Sequence, residues 1–380
     1  MTRERTARTA RKAAALVLTA GTALLAKRAM GRRIERSPLW PMPALEHPVS
    51  GTMGQRRTGT DRSSRTVLVT GRREVADRVV QLRLGAPDGA TLPGWEPGAH
   101  LDLVLPSGLV RQYSLCGDPA EADTYTIAVR LTDDSRGGSR EVHEQLHEGM
   151  ELEIRGPRNR FPLTEAPACL FLAGGIGITP LLPMVRAMAA AGVPWQLVYG
   201  GRTRASMPFR DELAALDGGQ GRVTIVPQDE AGHPDLAGAL AASPREGAVY
   251  CCGPEPLLTA VTALYRDGAH APGGGLHLER FTAATVAPSG ENQPFEVELH
   301  RSGRTLTVPA DSTALATVRA ARPDTPYSCE QGFCGTCQTR VLEGTVEHRD
   351  GLLTDAERDT SMLLCVSRAR GAGERLVLDL

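Results

Sequence analysis

Cys329-Glu-Gln-Gly-Phe-Cys334-Gly-Thr-Cys337 is the stretch whose reading decides the fold of this chain, with Cys365 as a fourth cysteine downstream. Three thiols in the order C-x4-C-x2-C and a distant fourth match the ligand spacing of a plant-type 2Fe-2S centre. A loop that wraps an anionic cluster must turn tightly and point backbone N–H groups at sulfur. Gly332 and Gly335 suit it, because glycine permits positive φ and close backbone approach. Zinc and disulfides are the competing readings. Structural zinc sites usually pair two C-x2-4-C knuckles or add histidines, whereas a single C-x2-C stands here and no histidine lies inside the loop. Two cysteines separated only by Gly335 and Thr336 are more often metal or redox ligands than staples. The cluster reading leads, and it makes the chain a carrier of single electrons.

At 380 residues the chain has room for two or three domains, and 41% hydrophobic with 23% charged residues describes an ordinary globular protein. The net charge of −1 hides an asymmetry. Residues 1–64 hold thirteen Lys+Arg and four Asp+Glu, so a basic tail precedes an acidic body. An acidic body argues against nucleic-acid binding and leaves the tail as the candidate for anionic surfaces. Of the other cysteines, Cys169, Cys251 and Cys252 lie in apolar runs and Cys116 in a loop, and all four read as small core residues. Free thiols beside an iron-sulfur site point to a reducing, cytoplasmic interior.

Within the tail, Arg3, Arg5, Arg8, Arg11 and Lys12 precede an apolar run from Ala13 to Ala26, and Lys27, Arg28, Arg32, Arg33 and Arg36 follow it. The run is shorter than the roughly 20 residues of a spanning helix, and basic flanks on both sides argue against export. A packed or loose helix, a surface-lying membrane anchor and a targeting or spanning segment are its three readings. Peripheral membrane contact through residues 1–36 is therefore an expectation beside a cytoplasmic body. Pro38, Pro41, Pro43 and Pro48 then mark an extended linker.

From about Thr66 to Leu163, runs such as Val80-Gln-Leu-Arg-Leu84, Leu101-Asp-Leu-Val-Leu105, Tyr125-Thr-Ile-Ala-Val-Arg-Leu131 and Glu151-Leu-Glu-Ile-Arg155 alternate with period 2 between Gly, Pro and Asp turns. That pattern predicts an antiparallel barrel or sandwich. Two features on it look chemical: Arg111-Gln112-Tyr113-Ser114-Leu115 after a strand, and Arg136-Gly137-Gly138-Ser139 before a helical stretch over Arg140 to Leu146. Glycines and a hydroxyl at a helix start offer donors to an anion. Each is weak alone.

From Ala168 apolar strands (Cys169–Ala173, Gln196–Tyr199, Val223–Val226, Ala248–Cys252, Leu276–Leu278) alternate with helical stretches over 181–191, 210–216, 236–241 and 256–265. This predicts an α/β parallel sheet covered on both faces. Its first turn, Gly174-Gly175-Ile176-Gly177-Ile178-Thr179-Pro180, is an incomplete dinucleotide fingerprint, because Pro180 occupies the third glycine position. Thr179 and Pro180 suit the N-cap and first position of the next helix, whose N-terminus would face a pyrophosphate. Cys252-Gly253-Pro254 ends a later strand, where glycine admits a ligand ring. Thr282 to Gln293 reads as a linker; after it come a hairpin over Phe295–His300 and Thr305–Val308, a helix over 312–321 and the cysteine loop.

With these residues in view the chain resembles the phthalate dioxygenase reductase family, which includes vanillate demethylase reductase. The likeness covers about 65–380 and rests on Arg111 to Cys116, Arg136 to Ser139, Pro157-Arg-Asn-Arg-Phe-Pro162, Ala173 to Pro180, Tyr250 to Pro254, the cysteine loop, Cys365-Val-Ser-Arg-Ala-Arg370 and Leu376-Val-Leu-Asp-Leu380. It implies an antiparallel β-barrel FMN domain over 65–164, an α/β NAD domain over 165–281, a linker over 282–293 and an α+β, β-grasp-like ferredoxin domain over 294–380. Residues 1–64 have no template in it. It further implies that Arg111 pairs with the FMN phosphate, Tyr113 lies along the isoalloxazine, Ser114 sits near its N5 atom, and Gly137, Gly138 and Ser139 cradle the phosphate. Gln112, Gly174, Gly175, Gly177, Thr179, Pro180, Cys252, Gly253 and Pro254 join the cofactor set, Phe281 is the aromatic near the flavin, and Cys329, Cys334, Cys337 and Cys365 hold the metal.

Nicotinamide gives two electrons as hydride, a 2Fe-2S centre takes one, and a flavin converts between them. No general acid, base or nucleophile is required of any side chain. The family leans to NADH, while Arg202 and Arg204 after Tyr199 could accept the extra phosphate of NADPH. The partner is then an oxygenase, Rieske-type or haem-thiolate, with a membrane-tethered electron-transfer or redox-sensing module as the alternative.

Overall fold

The computed structural model describes residues 64–133, 137–267, 274–281, 291–371 and 373–380. The basic tail, Arg136 and residues 282–290 of the linker lie outside the described residues. All described residues belong to one unit beginning at Thr60, and no helix among them is long and apolar enough to cross a membrane.

Strands β1 (Ser64–Ala76), β2 (Val79–Gly85), β3 (Ala99–Val104), β4 (Val110–Ser114), β5 (Thr124–Arg130) and β6 (Glu151–Asn159) form an antiparallel sheet in the order β4-β3-β6-β1-β2-β5. The period-2 residues Val80, Leu82, Leu84, Leu101, Leu103, Ile127, Val129, Leu152 and Ile154 all point into one core. The two edges meet through a bridge between Leu115 and Ile127 and a hydrogen bond from Cys116 N to Thr126 O at 2.8 Å. Closure into a barrel leaves no free edge at this end.

A parallel sheet follows, from β7 (Cys169–Gly174), β8 (Trp195–Gly201), β9 (Val223–Pro227), β10 (Ala248–Cys252) and β11 (Leu276–Glu279) in the order β11-β10-β7-β8-β9. Every residue of β7 and β10 is buried, the consequence of helices on both faces. Phe171, Tyr250 and Cys252 meet Leu181, Met184 and Val185 of the helix Ile178–Ala190 on one side. Leu170, Leu172, Val249 and Cys251 meet Leu240, Leu258 and Val261 on the other. The chain runs outward from β7 to β8 and β9, then returns to β10 on the opposite side. The topological switch between β7 and β10 is where ligands of such sheets bind, outside the strands' carboxyl ends.

The third sheet is mixed, β13-β12-β18-β14-β16, from β12 (Phe295–Leu299), β13 (Arg304–Val308), β14 (Gln338–Glu343), β15 (Val346–Glu347), β16 (Ser361–Leu363), β17 (Arg368–Ala369) and β18 (Arg375–Leu378), with β15 and β17 paired separately. Only β12 and β18 run parallel within it. The helix Ala314–Ala321, whose N-cap Thr313 accepts from Ala316 N at 3.1 Å, lays Leu315 and Val318 on the sheet core. One helix on a mixed sheet is the α+β, β-grasp-like arrangement, and the cysteine loop joins that helix to β14.

One local expectation is corrected. The helix after the glycine turn starts at Ile178 with Gly177 as its N-cap, and Gly175–Gly177 form a 3-10 turn ahead of it. Thr179 lies inside the helix, its hydroxyl donating to Ile176 O at 2.9 Å. The helix begins early because Gly177 packs directly on the next strand's end, where a Cβ would stand 2.2 Å from Cys252 O.

Candidate functional site

Cys329, Cys334, Cys337 and Cys365 are each about 4% exposed or less. The Cys329 sulfur is in hydrogen-bonding contact with those of Cys334 and Cys365, and Cys365 also reaches Cys337. Backbone N–H groups of Gln331 and Thr336 donate to Cys329 Sγ and Cys334 Sγ at 3.3 and 3.4 Å. Gly332 and Gly335 have φ of +79° and +70°, so they occupy the region the loop requires of glycine. A chain of paired thiols with N–H donors aimed at sulfur fits the ligands of a two-iron centre.

On the barrel, β4 carries Arg111, Gln112, Tyr113 and Ser114 in consecutive positions. Gly137, at φ +88°, is the N-cap of the helix Gly138–Gln145. A Cβ on Gly138 would stand 2.6 Å from Arg111 Nε. Strand and helix thus bring the arginine onto the Gly137-Gly138 turn, and a guanidinium beside a helix N-terminus fits a phosphate. Ser139 Oγ accepts from Thr132 N at 3.2 Å, which holds the helix start against the end of β5. Tyr113 packs on the barrel core, where burial pushes its phenol well above the ordinary range.

In the parallel sheet the two turns at the switch point are packed backbone to backbone. A Cβ on Gly174 would stand 2.6 Å from Pro254 Cδ, and one on Gly253 would stand 3.0 Å from Gly174 Cα. The glycines therefore join the two strand ends as well as opening the crevice. Pro180 is buried in the helix that follows. Arg202 is exposed at the end of β8. Arg204 is engaged by Glu230, at 3.1 Å from Nε and 2.6 Å from Nη2. The barrel contributes Arg130, whose Nη1 would lie 3.4 Å from a Cβ on Gly175. Burial and the nearby charges of Arg202 and Arg78 lower its pKa. Sequence reasoning passed over Arg130, because nothing in a strand's composition shows which turn its end abuts.

Barrel, parallel sheet and cysteine loop meet at one cavity, lined among others by Ser114, Glu279, Phe281, Phe333 and Cys334. Ser114 Oγ donates to Glu279 Oε2 at 3.5 Å, and the fully buried Cys252 sulfur is 4.0 Å from the same oxygen. Burial pushes the Glu279 carboxyl up to about 8, with the Ser114 hydrogen bond opposing it. Burial and Glu279 also push the Cys252 thiol well above its ordinary range. Phe281 packs on the core of the parallel sheet. Glu279 is the functional candidate that sequence reasoning missed. Its position inside Leu278-Glu-Arg-Phe281 was visible, but a lone carboxylate shows no burial until the three modules are assembled.

Residues 171–263 match the oxidoreductase NAD-binding domain family, and residues 297–370 match the 2Fe-2S iron-sulfur cluster binding domain family. The vanillate O-demethylase oxidoreductase of a Pseudomonas species is 41% identical over 319 residues, 83% of this chain and 99% of that protein. The solved phthalate dioxygenase reductase, titled a modular structure for electron transfer from pyridine nucleotides to 2Fe-2S, superposes with a TM-score of 0.64 at 38% identity, covering 84% of this chain and 98% of that one. An intact type IV self-sufficient cytochrome P450 monooxygenase superposes with a TM-score of 0.74 at 41% identity over 83% of this chain, yet this chain spans only 41% of its length. Identity of this degree along nearly the whole of a relative, with a solved phthalate dioxygenase reductase superposing over 98% of its own chain, means that the chain belongs to the phthalate dioxygenase reductase family.

Proposed function

We propose that the chain takes hydride from NADH at the β7–β10 crevice onto FMN seated against Arg111 to Ser114 and Gly137 to Ser139, and delivers single electrons through a 2Fe-2S centre to a separate oxygenase. The observation that carries this reading is the shared cavity, where the flavin-side Ser114, the nicotinamide-side Glu279 and the cluster-side Cys334 line one space. When bound, FMN supplies the conversion of a two-electron hydride into single electrons, and the iron-sulfur centre takes them one at a time. The partition into 65–164, 165–281 and 294–380, with a linker over 282–293, is the division of labour that goes with it.

The chain's own residues position and protect. Arg111 and the helix N-terminus at Gly138 bind the phosphate end, and Tyr113 supports the ring. At neutral pH Glu279 holds a proton on its carboxyl beside Ser114 Oγ, so the cleft presents a neutral donor rather than an anion to an electron-rich ring. Cys252, fully buried and its thiol protonated, contributes bulk and polarity under the crevice rather than a nucleophile. Phe281 lines the same cavity and adds an apolar wall to it.

NADH is the preferred donor. Glu230 occupies Arg204, which leaves Arg202 beside Arg130 for any 2′-phosphate. The acceptor is a Rieske-type or haem-thiolate oxygenase, to be separated by which of the two oxidises the reduced chain. Residues 1–36 provide peripheral membrane contact beside a cytoplasmic body, a reading supported by the basic flanks of their apolar run; it predicts co-sedimentation with anionic vesicles that disappears when these residues are deleted.

The test is a visible spectrum of the anaerobic protein before and after one equivalent of NADH. Flavin and iron-sulfur bands that both bleach are the expected result. A spectrum without iron-sulfur absorption, with zinc found by metal analysis, overturns the reading.

A further inference from the structure

The arginines of the Pro157-Arg-Asn-Arg-Phe-Pro162 segment, at the end of β6, reach the cysteine loop. Asp102, on β3, is fully buried and forms an ion pair with Arg158 at 2.6 Å. The same carboxylate accepts from Ser328 Oγ at 2.8 Å, and Ser328 immediately precedes Cys329. Arg158 Nη2 also donates to Thr336 Oγ1 at 3.4 Å, and that hydroxyl lies 3.3 Å from Cys334 Sγ. One buried ion pair of the barrel therefore grips the loop on both sides of its ligands. Arg160 adds a second hold, donating to Gly335 O at 3.3 Å and Gln338 Oε1 at 2.7 Å. A Cβ on Gly335 would stand 2.5 Å from Arg160 Cζ, so this glycine serves the arginine's approach as well as the turn. Further back on β6, Arg155 faces the Tyr327 ring at 5.9 Å, opposite Arg319 at 3.4 Å.

No strand ladder among the described residues joins the barrel sheet to the mixed sheet. Among the described residues, polar contacts between them at the loop come from Asp102, Arg158 and Arg160, two of them cationic. A thiolate-ligated cluster is an anion, and groups bonded to its ligands orient them and set how readily it takes charge.

We propose that Asp102, Arg158 and Arg160 are positioning residues forming a charged seat that holds the cysteine loop against the barrel for the flavin-to-cluster step. The inference rests on the proposed relay and adds the element that fixes its second half. Asp102 and Arg158 lie outside the lining of the shared cavity, whereas Arg160 lines it beside Ser114 and Glu279, so the Asp102–Arg158 pair is the part of the seat that separates electron passage from hydride entry. Removing Arg158 alone would leave Asp102 as an uncompensated buried carboxylate; a neutral pair avoids that.

The experiment is anaerobic stopped-flow of the full-length holoprotein with NADH, following flavin and iron-sulfur bleaching separately, together with a potentiometric titration of the cluster. The variants are Asp102→Asn/Arg158→Gln and, independently, Arg160→Ala with Arg160→Lys as its rescue. The expected result is an unchanged flavin phase in the double variant, a cluster phase slowed about tenfold or more in the double variant and in Arg160→Ala, a lowered cluster potential in Arg160→Ala, full cluster content throughout, and partial recovery in Arg160→Lys. A cluster phase and potential equal to the native protein's in both the double variant and Arg160→Ala would overturn the seat. So would an equal fall in both phases accompanied by loss of cluster, since that marks general structural support. If the native protein itself bleaches no iron-sulfur band with NADH, the relay fails, and that failure is read from the native trace alone.

Discussion

The cysteine loop and the three-module cavity are built in opposite ways. Three cluster ligands come from one nine-residue stretch, and their spacing carries the chemistry before any fold is known. The cavity draws Ser114, Glu279 and Cys334 from segments far apart in the chain, with Cys252 against the Glu279 carboxyl. Glu279 is unremarkable in its own neighbourhood. A site of the first kind is broken by one ligand, whereas a site of the second kind degrades by steps as packing and charge are altered.

Cys337→Ser tests the first kind and has the largest expected effect. Iron-sulfur absorption disappears and partner reduction stops, while NADH still bleaches the flavin. Loss of both would mean that this cysteine supports the fold beyond its own module, and the contrast between the two regions would fail.

Gly177→Ala tests the second kind by packing. A Cβ there meets the Cys252 carbonyl at 2.2 Å, and overpacking of backbone on backbone costs about 1–3 kcal/mol. Thermal unfolding and the KM for NADH should both move. An unmoved melting temperature would show that the two strand ends separate freely.

Arg111→Ala comes next. Loss of one charged hydrogen-bonding partner of a phosphate is worth about 1.5–3 kcal/mol, so FMN dissociates more readily while the cluster content stays full. Flavin content after gel filtration measures it, and unchanged retention would remove Arg111 from the phosphate seat.

Glu279 sharpens the comparison through pH. In the folded chain burial holds its carboxyl protonated up to about 8, against an ordinary 4.5 when unfolded. Between those values the folded state binds the extra proton, so the stability tied to this group is fully present below 4.5 and is lost as pH rises toward 8. The slope is at most about 1.4 kcal/mol per pH unit. Glu279→Gln is neutral at every pH. In flavin-free protein it should flatten that slope and exceed the native stability above pH 8, as denaturant titrations across the range would show. Identical pH profiles would mean that the carboxyl is solvated.

Arg204→Ala is the smallest change expected. Its pairing with Glu230 lies at the surface, where ion pairs contribute little, so stability and NADH use should both be unaltered. A fall in residual NADPH use would show that Arg204 reaches the cofactor in spite of Glu230.

Much of this protein was determined by its sequence alone. Period-2 runs predicted the barrel strands, uninterrupted apolar runs between helices predicted the parallel sheet, and the cysteine spacing predicted the 2Fe-2S module. Each of these signals is local: it is written in side-chain periodicity or in the bite of a loop, and it survives without knowledge of neighbours. Tertiary structure decided the rest. It moved the helix N-cap from Thr179 to Gly177, whose backbone abuts Cys252. It buried Glu279 beside Ser114, brought Arg130 to Gly175, and set Asp102 and Arg158 under the cysteine loop. Burial and charge pairing are properties of surroundings, and strand order assembles those surroundings from segments whose meeting no single stretch of sequence records.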